Sequence, residues 1–201
     1  MIALLGAEST GKTTLALALL DALAGEDRKV AVVAETLREF CEVQGRTPRR
    51  EEQRQIADTQ TLRIEAATHH HDIVIADTTA LMIAVYSDQV FGDTSLYDTA
   101  QTSHARCDLT LLMALDLPWR ADGLQRDGPQ LREPVDTLLR AALLRSGSAF
   151  SVVSGQGPAR RAAALACVQR AMTPPDRQTR WRWVCERCGD GPCERHTLPR
   201  G

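Results

Sequence analysis

Residues 6–13 read GAESTGKT and stand directly behind the apolar run from Ile2 to Leu5. An apolar helical pattern opens directly after them, with Leu15, Leu19, Leu20 and Leu23 near helical spacing. Strand, glycine-spaced loop and helix in this order match the phosphate-cradling pattern G-x-x-x-x-G-K-[ST]. Gly6 and Gly11 permit the backbone angles of a loop that wraps an anion. The backbone N–H groups of Ala7, Glu8, Ser9 and Thr10 and of the residues up to Thr14 are expected to face that anion. The following helix adds its positive N-terminus. Lys12 is expected to reach the β- and γ-phosphates, and Thr13 to place its hydroxyl on magnesium. The expected ligands are therefore a nucleoside triphosphate and Mg2+.

The rest of the chain alternates strands with helices. Strands are expected at residues 2–5, 29–34, 72–76, 108–115 and 150–153. Helices are expected at 12–24, 51–70, 78–90, 133–145 and 158–172. The helix at 51–70 is polar, and Ile56, Leu62, Ile64 and Ala67 make only a ragged stripe along it. Residues 117–132 hold Pro118, Gly123, Gly128 and Pro129 and read as a long loop. Short strands separated by helices predict an α/β fold, a mainly parallel five-stranded sheet with helices on both faces. Ligands then sit beyond the carboxyl ends of the strands. Pro174 and Pro175 mark the boundary between this domain, residues 1–173, and a short tail, residues 174–201.

The formal net charge of −2 gives no basic field for nucleic acid or a membrane surface. No apolar run approaches ~20 residues, and the phosphate loop occupies the place a secretory signal would need. A cytoplasmic location is expected. Only two of the 24 basic residues are lysines, Lys12 and Lys29, so any single arginine carries little information and Lys12 carries more.

Two strand ends place acids on the ligand side of the sheet. Asp77 follows DIVIA and is expected to hold magnesium, directly or through water, to orient an acceptor hydroxyl, or only to cap the next helix. Glu35 follows VAVVA and is placed to accept a proton from a substrate hydroxyl. Arg38, three residues on, can pair with Glu35 or with a phosphate. In the loop after the fourth strand, Arg120 and Arg126 are better placed than Arg132 to close over phosphates. Trp119 can stack on a flat ligand or simply anchor the loop.

GAESTGKT, AETLREF, DIVIADTT and CDLTLLMALDLPWRADGLQR together resemble the ribosylnicotinamide kinase domain of bifunctional NadR proteins and its stand-alone ATPase/kinase relatives. The resemblance runs from residue 1 to about 172, and its most specific element is the segment Pro118 to Gly123. It implies a P-loop NTPase three-layer sandwich of the nucleoside-kinase kind. It implies ATP- and magnesium-dependent phosphorylation of a nucleoside 5′-hydroxyl, nicotinamide riboside being the leading acceptor. It further implies phosphate binding at Lys12 and Thr13, a substrate-side role for Glu35 and Arg38, an acidic role for Asp77, and lid duty from Trp119 through Asp122 to Arg126. An adenylyltransferase half is not expected, because the chain begins at the phosphate loop. Ala34 stands where the family carries an aromatic that stacks on nicotinamide, so Trp119, Tyr86 or a different nucleoside-like acceptor has to account for recognition.

In the tail, Cys185-x-x-Cys188 and Cys193-x-x-His196 supply three thiols and an imidazole. That set suits a structural tetrahedral zinc, and Gly189 and Gly191 allow the reversal between the pairs. Cys41, Cys107 and Cys167 are expected to be reduced thiols. Two further readings stand beside the kinase. One is a regulatory ATPase that hydrolyses ATP under control of a protein or nucleic-acid partner. The other is a nucleotide-binding switch without turnover.

Overall fold

A computed structural model of the chain describes residues 1–25, 28–120 and 128–173. The five expected strands are present: β1 (Ile2–Leu5), β2 (Val30–Val33), β3 (Ile73–Asp77), β4 (Leu109–Met113) and β5 (Ser151–Val153). All pair in parallel, in the order β2-β3-β1-β4-β5. The helices are α1 (Lys12–Leu23), α2 (Thr36–Gln44), α3 (Gln53–Thr68), α4 (Ala80–Phe91), α5 (Tyr97–His104), α6 (Arg132–Arg145) and α7 (Gly157–Met172).

Period-two alternation along the strands sorts the core into two layers. Leu4, Ile75 and Leu111 pack with Leu15 and Leu19 of α1 and with Ala164 and Val168 of α7. Their neighbours Leu5 and Leu112 point the other way, onto α4 and onto Leu139 and Leu143 of α6. Helix α4 is buried without a break over its first half, from Ala80 to Val85. That is why its sequence, ALMIAV, is apolar on every side.

Two helices were not expected. α2 offers only Leu37 and Cys41 as buried apolar anchors, and α5 only Tyr97 and Ala100. Each sits in an otherwise polar run. The expected helix from residue 78 starts instead at Ala80. Thr78 is held in the left-handed region at φ 91°, and the Thr79 hydroxyl caps the helix by accepting from the Leu81 N–H. The expected helix 51–70 is a 3-10 turn (Arg50–Glu52) followed by α3.

β1 lies at the centre of the sheet, between β3 and β4. The chain runs from β1 out to the edge strand β2, back to β3, and then across to β4. Strand order therefore reverses at β1, and the crevice of such a fold opens beyond its carboxyl end. No helix among the described residues is long and apolar enough to cross a membrane.

Candidate active site

The loop after β1 has Gly6 at φ 151°, Ser9 at φ 54° and Gly11 at φ 78°. Left-handed residues interleaved with right-handed ones turn successive N–H groups to one side and make an anion-binding concavity. Gly6 is required for space as well: a Cβ there would lie 2.8 Å from the Met113 Cβ on β4. The loop is braced from within. The buried Thr10 hydroxyl donates to the Ala7 carbonyl at 2.7 Å. Lys12 Nζ donates to the carbonyls of Gly6 at 2.8 Å and Ala7 at 3.1 Å.

A cavity of about 710 Å³ opens over this loop, walled by residues Ser9 to Thr14, Arg38, Arg120, Gln156 and Gly157 among others. Ser9 joins the loop to the segment that follows β4: its hydroxyl donates to the Arg120 carbonyl at 2.8 Å. Asp77 meets the loop at its helix end. Thr13 Oγ1 donates to Asp77 Oδ2 at 2.5 Å. The other oxygen, Asp77 Oδ1, is buried and accepts no hydrogen bond from the described residues. A hydroxyl and a carboxylate with a spare buried oxygen fit a hard divalent cation that takes oxygen ligands.

Glu35 closes the end of β2 and is buried, with only 7% of its surface exposed. Burial pushes its carboxyl above the ordinary value. Lys12 pulls it down, Asp77 pushes it up again and Arg38 pulls it down, and the net shift is upward. Arg38 Nε lies 3.7 Å from Glu35 Oε2.

There is a second cavity of about 540 Å³. Its wall includes Glu8, Leu37, Cys41, Gln53, Tyr86 and Gln89. The phosphate loop thus sends Glu8 into one cavity and its next residues, from Ser9 on, into the other. α2 does the same with Leu37 and Arg38. Glu35, the N-cap residue of α2, stands two and three residues before these two wall residues and itself lines neither cavity. Gln53 is buried, and its Oε1 has no hydrogen-bond partner among the described residues.

Trp119 is half-buried, its indole N–H donates to no partner among the described residues, and it lines neither of these two cavities. Arg132, ranked below its neighbours in the sequence, is buried and donates to the Leu117 carbonyl at 2.9 Å. Asp122 and Arg126 lie outside the described residues, as do Cys185, Cys188, Cys193 and His196. Among the described residues no group of three or more His, Cys, Asp or Glu comes together to hold a metal. Cys41, Cys107 and Cys167 form no disulfide among the described residues.

One residue that sequence reasoning missed is Arg160 of α7. Its guanidinium is buried and donates to Asp116 Oδ1 at 2.7 Å, the Gly155 carbonyl at 2.8 Å, the Thr10 carbonyl at 2.9 Å and the Ala114 carbonyl at 3.2 Å. Partial burial pushes the Asp116 carboxyl up. The bonds from Arg160 and the Gly155 N–H outweigh it and hold that carboxyl below its ordinary value. Arg160 therefore staples the phosphate loop to the ends of β4 and β5. Arg160→Met leaves a buried carbonyl set and a carboxylate without their donor. We expect a loss of about 3 kcal/mol, read as a drop of roughly 10 °C in the melting temperature by scanning calorimetry.

The sequence matches the family described as an AAA domain, AAA_28, over residues 1–161. The chain belongs to this family. It matches no curated protein. Among solved structures, its fold is similar to that of NadR protein in complex with NAD and AMP-PNP. The TM-score is 0.69 at 20% identity, covering 88% of this chain and 50% of NadR. NadR in complex with NR aligns with a TM-score of 0.70 at 20% identity, over 85% of this chain and 48% of that one. The chain thus spans about half the length of the NadR structures it matches. Deoxyadenosine kinase from M. mycoides with products dCMP and dCDP aligns with a TM-score of 0.56 at 14% identity, over 84% of this chain and 97% of that one. The AAA_28 chain therefore has the α/β P-loop fold that the resemblance to NadR implied.

Proposed function

We propose that this chain is a P-loop small-molecule kinase. It transfers the γ-phosphoryl group of ATP to the hydroxyl of a nucleoside-like acceptor, nicotinamide riboside being the leading candidate. The observation that carries this reading is that the phosphate loop and α2 each wall two cavities, one over the phosphate loop and one of acceptor size, and that the buried carboxylate Glu35, its pKa raised, caps α2. Simple hydrolysis needs no second cavity beside the phosphate loop. The named ligands of the similar structures, NR in NadR and nucleotides in deoxyadenosine kinase, support the choice of acceptor class.

In this reading the acceptor lies in the second cavity with its hydroxyl toward Glu35. Glu35 takes the hydroxyl proton as the oxygen attacks the γ-phosphorus, and the bond to the ADP oxygen breaks in line. Lys12 leaves its loop carbonyls for the β- and γ-oxygens, and Arg38 and Arg120 face the same charge from the cavity wall. Thr13 and Asp77 would hold magnesium, which neutralises charge on the β- and γ-oxygens. Asp77, already bonded to Thr13, is the metal-side acid, which leaves Glu35 as the base.

Gln53 reads the acceptor. An unpartnered buried carbonyl oxygen on the cavity wall rewards a ligand N–H, such as a carboxamide or an exocyclic amine. Gln53→Leu is expected to raise the acceptor KM about tenfold with kcat nearly unchanged. Equal losses in both constants would place Gln53 in the chemical step instead. The kinase reading as a whole is tested by ADP formation with and without a panel of nucleosides that includes nicotinamide riboside. Steady hydrolysis that no nucleoside stimulates would favour the second reading, a partner-regulated ATPase, for which the AAA-domain match speaks.

A further inference from the structure

We propose that Gln60 is the positioning residue that holds the two acids of the site at their working separation; this rests on the roles proposed for Glu35 and Asp77. Gln60 lies on α3, has no exposed surface and is far too polar to be buried for packing alone. Its Oε1 accepts from the Thr36 N–H at 2.8 Å, and its Nε2 donates to the Thr78 carbonyl at 3.2 Å. The two partners fix the orientation of the amide, since an N–H needs the oxygen and a carbonyl needs the nitrogen.

Both partners are immediate chain neighbours of the acids: Thr36 follows Glu35, and Thr78 follows Asp77. The parallel ladder between β2 and β3 is registered as far as Val33 with Ala76. Past that pair the strands separate, one into α2 and the other toward α4. The Gln60 amide spans the gap as one more peptide unit would, with an acceptor to one strand and a donor to the other. Thr36 also opens α2, so its N–H belongs to the first turn, where no helical carbonyl is available.

The Thr78 end carries strain. A threonine at φ 91° is costly and persists only when its surroundings over-determine it. Two bonds do so: the Thr78 N–H donates to the Leu4 carbonyl of β1 at 3.2 Å, and the Thr78 carbonyl accepts from Gln60. The turn they hold sets the direction in which Asp77 leaves β3. Gln60 thereby ties β2, β3 and, through Thr78, β1 at the end where the phosphate loop begins.

The test is Gln60→Met, which keeps volume and removes both hydrogen bonds. ATP affinity, which depends on the phosphate loop, is expected to stay within about threefold of wild type. Turnover, basal or acceptor-stimulated, is expected to fall about a hundredfold, the usual effect of moving reacting groups by an ångström. The magnesium concentration for half-maximal turnover is expected to rise, because Asp77 moves. Hydrogen exchange at Thr36 should accelerate in the same variant.

Loss of thermal stability with wild-type turnover and magnesium dependence would overturn the proposal and leave Gln60 a structural residue. Should Gln60→Met fail to fold, Gln60→Glu serves. It keeps the acceptor for Thr36 and sets a second oxygen against the Thr78 carbonyl, so the magnesium requirement should rise; an unchanged requirement overturns the proposal. Wild-type protein that no acceptor stimulates would count against the kinase reading alone, because the magnesium comparison then runs on basal hydrolysis.

Discussion

Lys12→Ala is expected to lower ADP formation about a thousandfold, the scale seen when a donor to a developing negative charge is removed. Lys12 is buried at the first turn of α1, and its ammonium reaches back to the carbonyls of Gly6 and Ala7. No other lysine lies in the loop, and the chain's second lysine, Lys29, stands at the opposite end of β2. Lys12→Arg should not rescue activity, because a planar guanidinium does not fit a slot shaped for a point charge between two carbonyls. The loss has to be one of chemistry and not of folding. Circular dichroism and the melting curve of Lys12→Ala should therefore stay close to wild type. Activity above a tenth of wild type would mean that the phosphates are not held at this loop.

Glu35→Gln is expected to lower kcat by roughly two to four orders of magnitude, as loss of a general base does. The pH profile gives an independent sign. Glu35 works ionised, and burial raises its pKa, so wild-type activity falls on the acidic side at a pH above the ordinary glutamate value. That limb should vanish in Glu35→Gln. Stability moves the opposite way. A carboxyl whose folded pKa is raised binds its proton more tightly in the native state, so its contribution is fully present below the ordinary pKa of 4.5 and is lost as pH rises through the folded value. At pH 8 the ionised buried group is a burden, and Glu35→Gln should melt no lower than wild type. Asp77→Asn separates the two acids: its turnover should recover in part with excess magnesium, and that of Glu35→Gln should not.

The sheet was legible because parallel buried strands read as short apolar runs, and each of the five runs became a strand. α2 and α5 were not, since two buried apolar side chains in a polar run carry no period. α3 shows what a ragged stripe conceals. Its buried positions are Gln53, Ile56, Ala57, Gln60 and Ile64, a regular helical face in which two places are taken by glutamine. Leu62, counted toward the stripe, is 64% exposed. A search for apolar residues alone passes over both glutamines, although one lines the second cavity and the other joins the strand ends. The motif and the strand end pointed Thr13 and Asp77 each toward magnesium, and the two side chains are in direct contact. Arg160 did not, because in an arginine-rich chain one buried arginine on a helix looks like any other.

The central claim is transfer to an acceptor, and the measurement that tests it most directly follows the γ-phosphate itself. Wild-type protein is incubated with γ-labelled ATP, magnesium and each nucleoside in turn, nicotinamide riboside first, and the label is located by chromatography. Label in a nucleoside monophosphate, formed one for one with ADP and absent with Lys12→Ala, is the expected result. Label found only in inorganic phosphate, at a rate that no nucleoside changes, would contradict the claim.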